Sequence, residues 1–336
     1  MKRAFSILLT GALLLPFAAL SLNGPIRGIN TDDGRYLRID DIAGKLELGI
    51  ETENAEKMII GNEDYRFELG VDKRTAKLDG MLLYFNFPVL RDAGGNWYMH
   101  RLDFTKTMQP FFLPEETPFA PIRRILLDPG HGGSDTGAKG AKLLEKDVNL
   151  EIARRVAKRL REMDFSVFMT REDDRDLSLD ERAAMTTGCN ADLFISIHQN
   201  AALNREARGI ETFAIAPSNA PVTNGKVSDR VKSSDPGNRF ERDSLVFAAQ
   251  LQQNVLGETG AVDRGVKHAR FRVLRFSDTP SVLIECGFIS NAEDEAQMTS
   301  DAYLDKLAAG IARAVYESSY WADEPLQEED ESTDEN

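Results

Sequence analysis

Leu193-Phe194-Ile195-Ser196-Ile197 is a short, unbroken apolar run, and it ends in His198. A strand that is apolar on both faces belongs inside a parallel sheet, with helices packed on either side. Working outward, the neighbouring segments alternate in the same way. Ile125-Leu126-Leu127 and Ser166 to Thr170 read as strands, and Asn149 to Met163 between them reads as an amphipathic helix. In that helix Ile152, Val156 and Leu160 share one face, while Arg154, Arg155, Lys158 and Arg161 lie elsewhere. Further along, Ser178 to Thr187, Arg242 to Leu256 and Leu304 to Tyr316 read as helices, and Gly209 to Ala216 and Ser281 to Ile284 as strands. Alternation of this kind predicts an α/β domain over 124–320, its sheet mostly parallel, with helices on both faces.

Residues 25–113 read differently. Short mixed apolar segments are broken by turn signals at Asp33-Gly34, Asp79-Gly80 and Gly94-Gly95. A weak internal echo runs through them. Gly34-Arg35-Tyr36-Leu37 leads into Ile39-Asp40-Asp41-Ile42, and Gly95-Asn96-Trp97-Tyr98 leads into Arg101-Leu102-Asp103-Phe104. Each copy predicts a glycine turn, a strand and a helix start. This small α+β accessory segment resembles the domain named after the copper amine oxidase N-terminus, a domain often attached to exported bacterial enzymes, and a wall-targeting role is expected of it. Its one histidine, His100, has no candidate metal partner nearby in sequence. Three prolines between Pro114 and Pro121 predict a stiff linker over 114–123.

The chain ends differ again. Lys2 and Arg3 precede an apolar run, Ile7 to Leu22, and Ala19-Leu20-Ser21 supplies small residues for cleavage, so 1–21 reads as a signal peptide and the mature protein as exported, periplasmic or extracellular. No other segment approaches the length needed to span a bilayer. The last 14 residues hold eight acids and no base; without them the formal charge falls from −14 to −6. The segment 321–336 therefore reads as an acidic disordered tail, and a mildly acidic body without a basic patch argues against nucleic acid as a partner. Cys189 and Cys286 could form one bridge in an exported protein or stand as two small buried hydrophobes.

Four residues carry candidate chemistry. His131 follows the first strand within Asp128-Pro129-Gly130-His131-Gly132-Gly133, His198 follows the apolar strand, Glu285 follows Ser281 to Ile284, and Glu145 opens the first helix. Three of the four fall at carboxyl ends of expected strands, where open α/β sheets place their ligand sites. Two histidines and a glutamate form one ligand set of catalytic zinc, with a position left for water. A second glutamate near that water would act as general base. Their spacing matches no short zinc motif, and a lone glutamate at a helix start is also simply favourable to the helix dipole. Glu285 is harder to explain away, because a buried carboxylate is costly unless it is paired. His268 lies in a polar stretch and reads as solvated.

Residues 125–316 resemble the zinc-dependent N-acetylmuramoyl-L-alanine amidases. The likeness runs in order through LLDPGHGGSDTGAKG (126–140), LLEKDVNLEIARRVAKRL (143–160), VFMTREDD (167–174), LSLDERA (177–183), LFISIHQNAA (193–202), GIETF (209–213), RGVKHARFRVLR (264–275) and SVLIECGFISN (281–291). The resemblance implies that His131, Glu145 and His198 hold Zn2+, that Glu285 is the catalytic glutamate, and that the substrate is peptidoglycan. The bond cut would be the amide between N-acetylmuramic acid and the L-alanine of the stem peptide. A zinc peptidase acting on cell-wall peptides and an inactive wall-binding protein remain open as alternatives. Gln199 and Cys286 depart from the family pattern and are expected to retune the pocket. The polar stretch Pro217 to Arg239 is expected to be a substrate-side loop rather than an inhibitory helix over the metal.

Overall fold

The computed structural model describes residues 25–113 and 121–321. The expected signal peptide, most of the proline-rich linker and the acidic tail lie outside these residues. The N-terminal segment contributes β1 (Gly28–Thr31), β2 (Gly34–Arg38), α1 (Ile39–Lys45), β3 (Gly49–Thr52), β4 (Lys57–Gly61), β5 (Arg66–Gly70), β6 (Thr75–Leu78), β7 (Met81–Tyr84), β8 (Leu90–Arg91) and β9 (Trp97–His100). α2 (Arg101–Asp103), a π-helical turn over Phe104–Met108 and α3 (Gln109–Phe112) complete it. The second segment contains β10 (Arg124–Pro129), α4 (Glu145–Glu162), β11 (Ser166–Met169), α5 (Leu179–Gly188), β12 (Leu193–Asn200), β13 (Ile210–Ile215) and α6 (Glu241–Thr259). β14 (Asp263–Ala269), α7 (Arg272–Phe276), β15 (Ser281–Phe288), α8 (Ala292–Met298) and α9 (Asp301–Trp321) follow.

The expected alternation produces the expected layers. β11, β10, β12 and β15 are parallel neighbours, in that order. Side chains alternate across a strand, so the two faces are covered by different helices. Ile125, Leu127, Ile195, Ile197, Val282 and Ile284 pack against Ile152, Val156 and Leu160 of α4 and against α6 and α9. Leu126, Phe194, Phe213 and Leu283 face α7 and the end of α5. Burying the α4 stripe is what stabilises that helix, since each buried aliphatic contributes roughly 1.5–3 kcal/mol. The two cysteines lie in different apolar clusters on opposite faces, and both are unbridged.

Two features of the sheet were not evident from the pattern. β13 runs antiparallel to β15, with Glu211 opposite Glu285, and β14 lies beside β13. The sheet then continues into the N-terminal segment through β7, giving the order β11-β10-β12-β15-β13-β14-β7-β6-β5-β4-β3. β14 was not expected, because Asp263-Arg264-Gly265-Val266-Lys267-His268 has no apolar alternation. As an interior strand it is buried all the same, and His268, expected to be solvated, is only 3% exposed.

The N-terminal echo gives two turn–strand–helix units, and their strands β2 and β9 pair antiparallel. His100 is buried, stacks on Phe87 at 3.7 Å and caps α2 by accepting from the Leu102 N–H. Polar contacts lock the two segments together: the Leu82 N–H donates to Asp263 (2.6 Å) and Lys106 pairs with Glu241 (2.8 Å).

The direction of β13 also corrects the expectation for Pro217 to Arg239. That stretch leaves the end of β13, and because β13 is antiparallel to β15, this end lies at the opposite edge of the sheet from Glu285. The loop instead packs on the N-terminal segment. Arg74 donates to the carbonyls of Val222 and Gly225, Arg230 donates to the Asp33 carbonyl, and Ala220 is buried with Tyr36, Phe87 and Tyr98. It is neither at the mouth of the site nor a cover over it.

Candidate metal centre

β10 ends at Pro129, and the chain turns sharply through Gly130-His131-Gly132-Gly133. His131 adopts φ +62°, a left-handed conformation uncommon outside glycine, as do Gly132 and Gly133. Such a conformation persists only where its surroundings enforce it. Two buried arginines do so. Arg171 donates to the carbonyls of Pro129, Gly130 and Lys146, and Arg182 donates to those of Pro129 and His131. Arg182 also pairs with Asp128 at 2.7 Å, and Asp128 accepts from Thr170 and Ser196. The turn is thus bolted to the sheet from below.

On this base three expected residues converge. His131 Nε2 is 3.2 Å from Glu145 Oε1, and His198 Nδ1 is 2.9 Å from the same oxygen. The two rings meet edge to face, their centroids 5.0 Å apart. Donor atoms from His131, Glu145 and His198 all lie within 4.8 Å of one another, a group that could hold a metal ion. Glu145 is the first residue of α4 and reaches over the end of the sheet; it is buried at 4% exposure. His198 and Glu285 lie within β12 and β15 rather than after them, because strand pairing continues past the apolar runs.

The donor set suits zinc in kind and in spacing. Two donors at bonding distance from a tetrahedral zinc stand about 3.3 Å apart, close to the separations seen here. His131 Nδ1 contacts Asp135 Oδ2 at 2.7 Å, which leaves Nε2 turned to Glu145; metal-binding histidines commonly carry such a carboxylate on the other nitrogen. Burial by itself would raise the Glu145 carboxyl, but hydrogen bonds with His131 and His198 and from the Ala138 N–H hold it well below the usual carboxylate range. Burial would likewise lower His131, yet Glu145 and Asp135 raise it above the ordinary histidine value.

Glu285 stands beside the cluster, in register with His198. Burial pushes its carboxyl well above the usual value, the charges of Glu145 and Glu211 add to this, and Lys267 opposes it. Among the described residues its Oε2 has no hydrogen-bond partner. A carboxylate with an elevated proton affinity and a free oxygen can accept and release a proton. Gln199 and Cys286, expected to retune the pocket, point away from it. The Gln199 amide bonds Asn149 behind Glu145, and Cys286 is buried in the core against the helices. The reason is parity: each is one residue beyond a site residue on its strand, so its side chain falls on the other face. Asp128, Arg171, Arg182, Asn149 and Glu211 were not anticipated. Only their presence within matched motifs could have flagged them, because most of their partners are distant in sequence.

The model of the N-acetylmuramoyl-L-alanine amidase family matches residues 125–317. The chain belongs to this family. It is 37% identical over 187 residues to the N-acetylmuramoyl-L-alanine amidase LytC of Bacillus subtilis (56% of this chain, 34% of LytC). It is 36% identical over 222 residues to the amidase AmiC of Escherichia coli (59% of this chain, 53% of AmiC). Both relatives are thus matched over less than two thirds of their length. Among solved structures, an N-acetylmuramoyl-L-alanine amidase from Clostridium difficile superposes with a TM-score of 0.50 at 32% identity, covering 61% of this chain and 100% of that one. Among the described residues no helix is long and apolar enough to cross a membrane.

Proposed function

We propose that this amidase-family chain is a zinc-dependent peptidoglycan hydrolase that cleaves the amide between N-acetylmuramic acid and the L-alanine of the stem peptide. The observation that carries the reading is the convergence of His131, Glu145 and His198, with Glu285 in register beside them. In this reading His131, Glu145 and His198 hold the metal. When bound, zinc acidifies a water and polarises the scissile carbonyl. Glu285 would take a proton from the attacking water and deliver it to the leaving amine nitrogen, for which its place beside the three ligands and its Oε2, unpartnered among the described residues, suit it. Arg171 and Arg182 hold the strained His131 turn, and Asp135 orients the His131 ring. The substrate implies work outside the cytoplasm, in keeping with the signal-like start of the sequence.

Metal analysis tests the ligand set. The full chain should carry about one zinc, and a His131→Ala, His198→Ala double variant should lose it. Equal zinc content in the two proteins would refute the assignment.

A further inference from the structure

Glu211 begins a second polar cluster beside the metal centre. It is 4% exposed and lies opposite Glu285 across the β13–β15 ladder. Its carboxylate receives Lys267, Arg264 (2.9 Å) and the Asn200 amide (2.8 Å). Lys267 is itself buried, so it already neutralises Glu211. Arg264 is the second cation on the Glu211 carboxylate.

The backbone goes out of its way to present it. Ile210 pairs with Asp263 and Thr212 with Val266, so β14 carries one extra residue opposite Glu211. This is a β-bulge, a device that re-aims a side chain and is frequent near active sites. Gly265 in the bulge has φ +84°, and a Cβ there would come within 2.7 Å of the Leu82 carbonyl oxygen, so glycine is required. The bulge turns Arg264 onto the face that carries His198 and Glu285. Its Nε is tied to Glu211 and its guanidinium lies over the Phe288 ring, 4.6 Å from the centroid. Among the described residues the two terminal amino groups have no hydrogen-bond partner, and the side chain is 33% exposed. A guanidinium fixed at Nε, stacked on one plane and free at its outer fork is preorganised for a carboxylate.

Its position sets the ligand. Phe288 is in register with Asn200, two residues beyond His198. The guanidinium therefore stands on the rim of the metal centre, roughly 10 Å or two strand spacings from His198. In an extended peptide, a backbone carboxylate on the residue after the alanine lies roughly 7–9 Å from the scissile carbon.

We propose that Arg264 is a specificity residue that anchors a free carboxylate on the stem-peptide residue next to the L-alanine, so that the substrate class is an acidic peptide rather than its amidated form. This rests on the amidase reading above. The test compares matched muramyl peptides bearing a carboxylate or a carboxamide at that residue. The full chain should favour the carboxylate by about 10- to 100-fold in kcat/KM, the range of a charge-assisted bidentate pair. The preference should arise mainly through KM and fall to near unity in Arg264→Gln. Arg264→Lys keeps the charge against Glu211 but loses the fork, and should retain a reduced preference. Binding of the corresponding free peptides, measured by calorimetry, should show the same selectivity without turnover. A wild-type protein indifferent to the carboxylate, or an equal loss on both substrates in Arg264→Gln, would overturn the proposal. Selective binding without cleavage of any muramyl peptide would uphold the subsite and refute the amidase reading instead.

Discussion

Gly130→Ala probes the packing of the candidate metal centre with a single methyl group. Gly130 has a backbone conformation open to any residue, so alanine brings no dihedral strain. Its Cβ would, however, fall well inside 3.0 Å of three atoms of the His198 ring. The backbone cannot yield. The Gly130 N–H donates to the Ile197 carbonyl at 3.0 Å, and its own carbonyl accepts from Asn149 and Arg171. The half-buried His198 ring must swing out instead, breaking its 2.9 Å contact with Glu145. Overpacking typically costs about 1–3 kcal/mol, and the low end applies because the ring has solvent to enter. Loss of a supporting contact weakens metal binding by about 10–100-fold, and withdrawal of a ligand more. We expect zinc affinity to drop by at least about 100-fold, which is about 2.7 kcal/mol, while the metal-free protein loses about 1 kcal/mol. Chelator-competition titration gives the first quantity and urea unfolding in chelator the second. Gly257→Ala is the control. It lies exposed in α6 with nothing near its Cβ, so it should stabilise by about 0.5–1 kcal/mol without touching zinc. Wild-type zinc affinity in Gly130→Ala would refute the reasoning, because the ring could not then be where it is described.

Other expectations follow from the same contacts. Glu285→Gln should keep zinc but lower kcat by about 100- to 10,000-fold; near-normal turnover would make the residue structural. Arg182→Met strands Asp128 and releases the His131 turn, and should cost about 3–5 kcal/mol in urea unfolding, as broken buried ion pairs do. Burial pushes His268 down to about 4, so it stays neutral in the fold while the unfolded chain takes up a proton below about 6.5. The unfolded state then binds more protons between these values, and stability falls as pH drops through that window. His268→Leu should therefore gain on the wild type by about 1–3 kcal/mol between pH 7 and pH 4.5; parallel stability curves would contradict this.

The layers and the grouping of His131, Glu145 and His198 were legible because local pattern governs them. The run Leu193 to Ile197 and the stripe Ile152, Val156 and Leu160 each declare a buried face, and His131 after β10, Glu145 at the start of α4 and His198 within β12 meet at one end of the sheet. What was hidden depends on partners far along the chain. β14 reads as a polar stretch because Arg264 and Lys267 find their counter-charge on Glu211, more than fifty residues away. The reversed direction of β13 leaves no trace in an apolar segment such as Ile210 to Ile215, yet it decides that the following loop lies at the far edge of the sheet. The joining of β7 to β14 rests on one paired position, Val266 with Leu83, and on backbone hydrogen bonding that carries little side-chain signature.

Mass spectrometry of purified peptidoglycan digested with the full chain, with and without a chelator, identifies the bond that is cut. The expected products are stem peptides with a free N-terminal L-alanine, released from intact glycan strands, with release abolished by the chelator and restored by added zinc. Fragments cut within the stem peptide, with alanine still attached to the sugar, would contradict it, as would release that continues unchanged in the chelator.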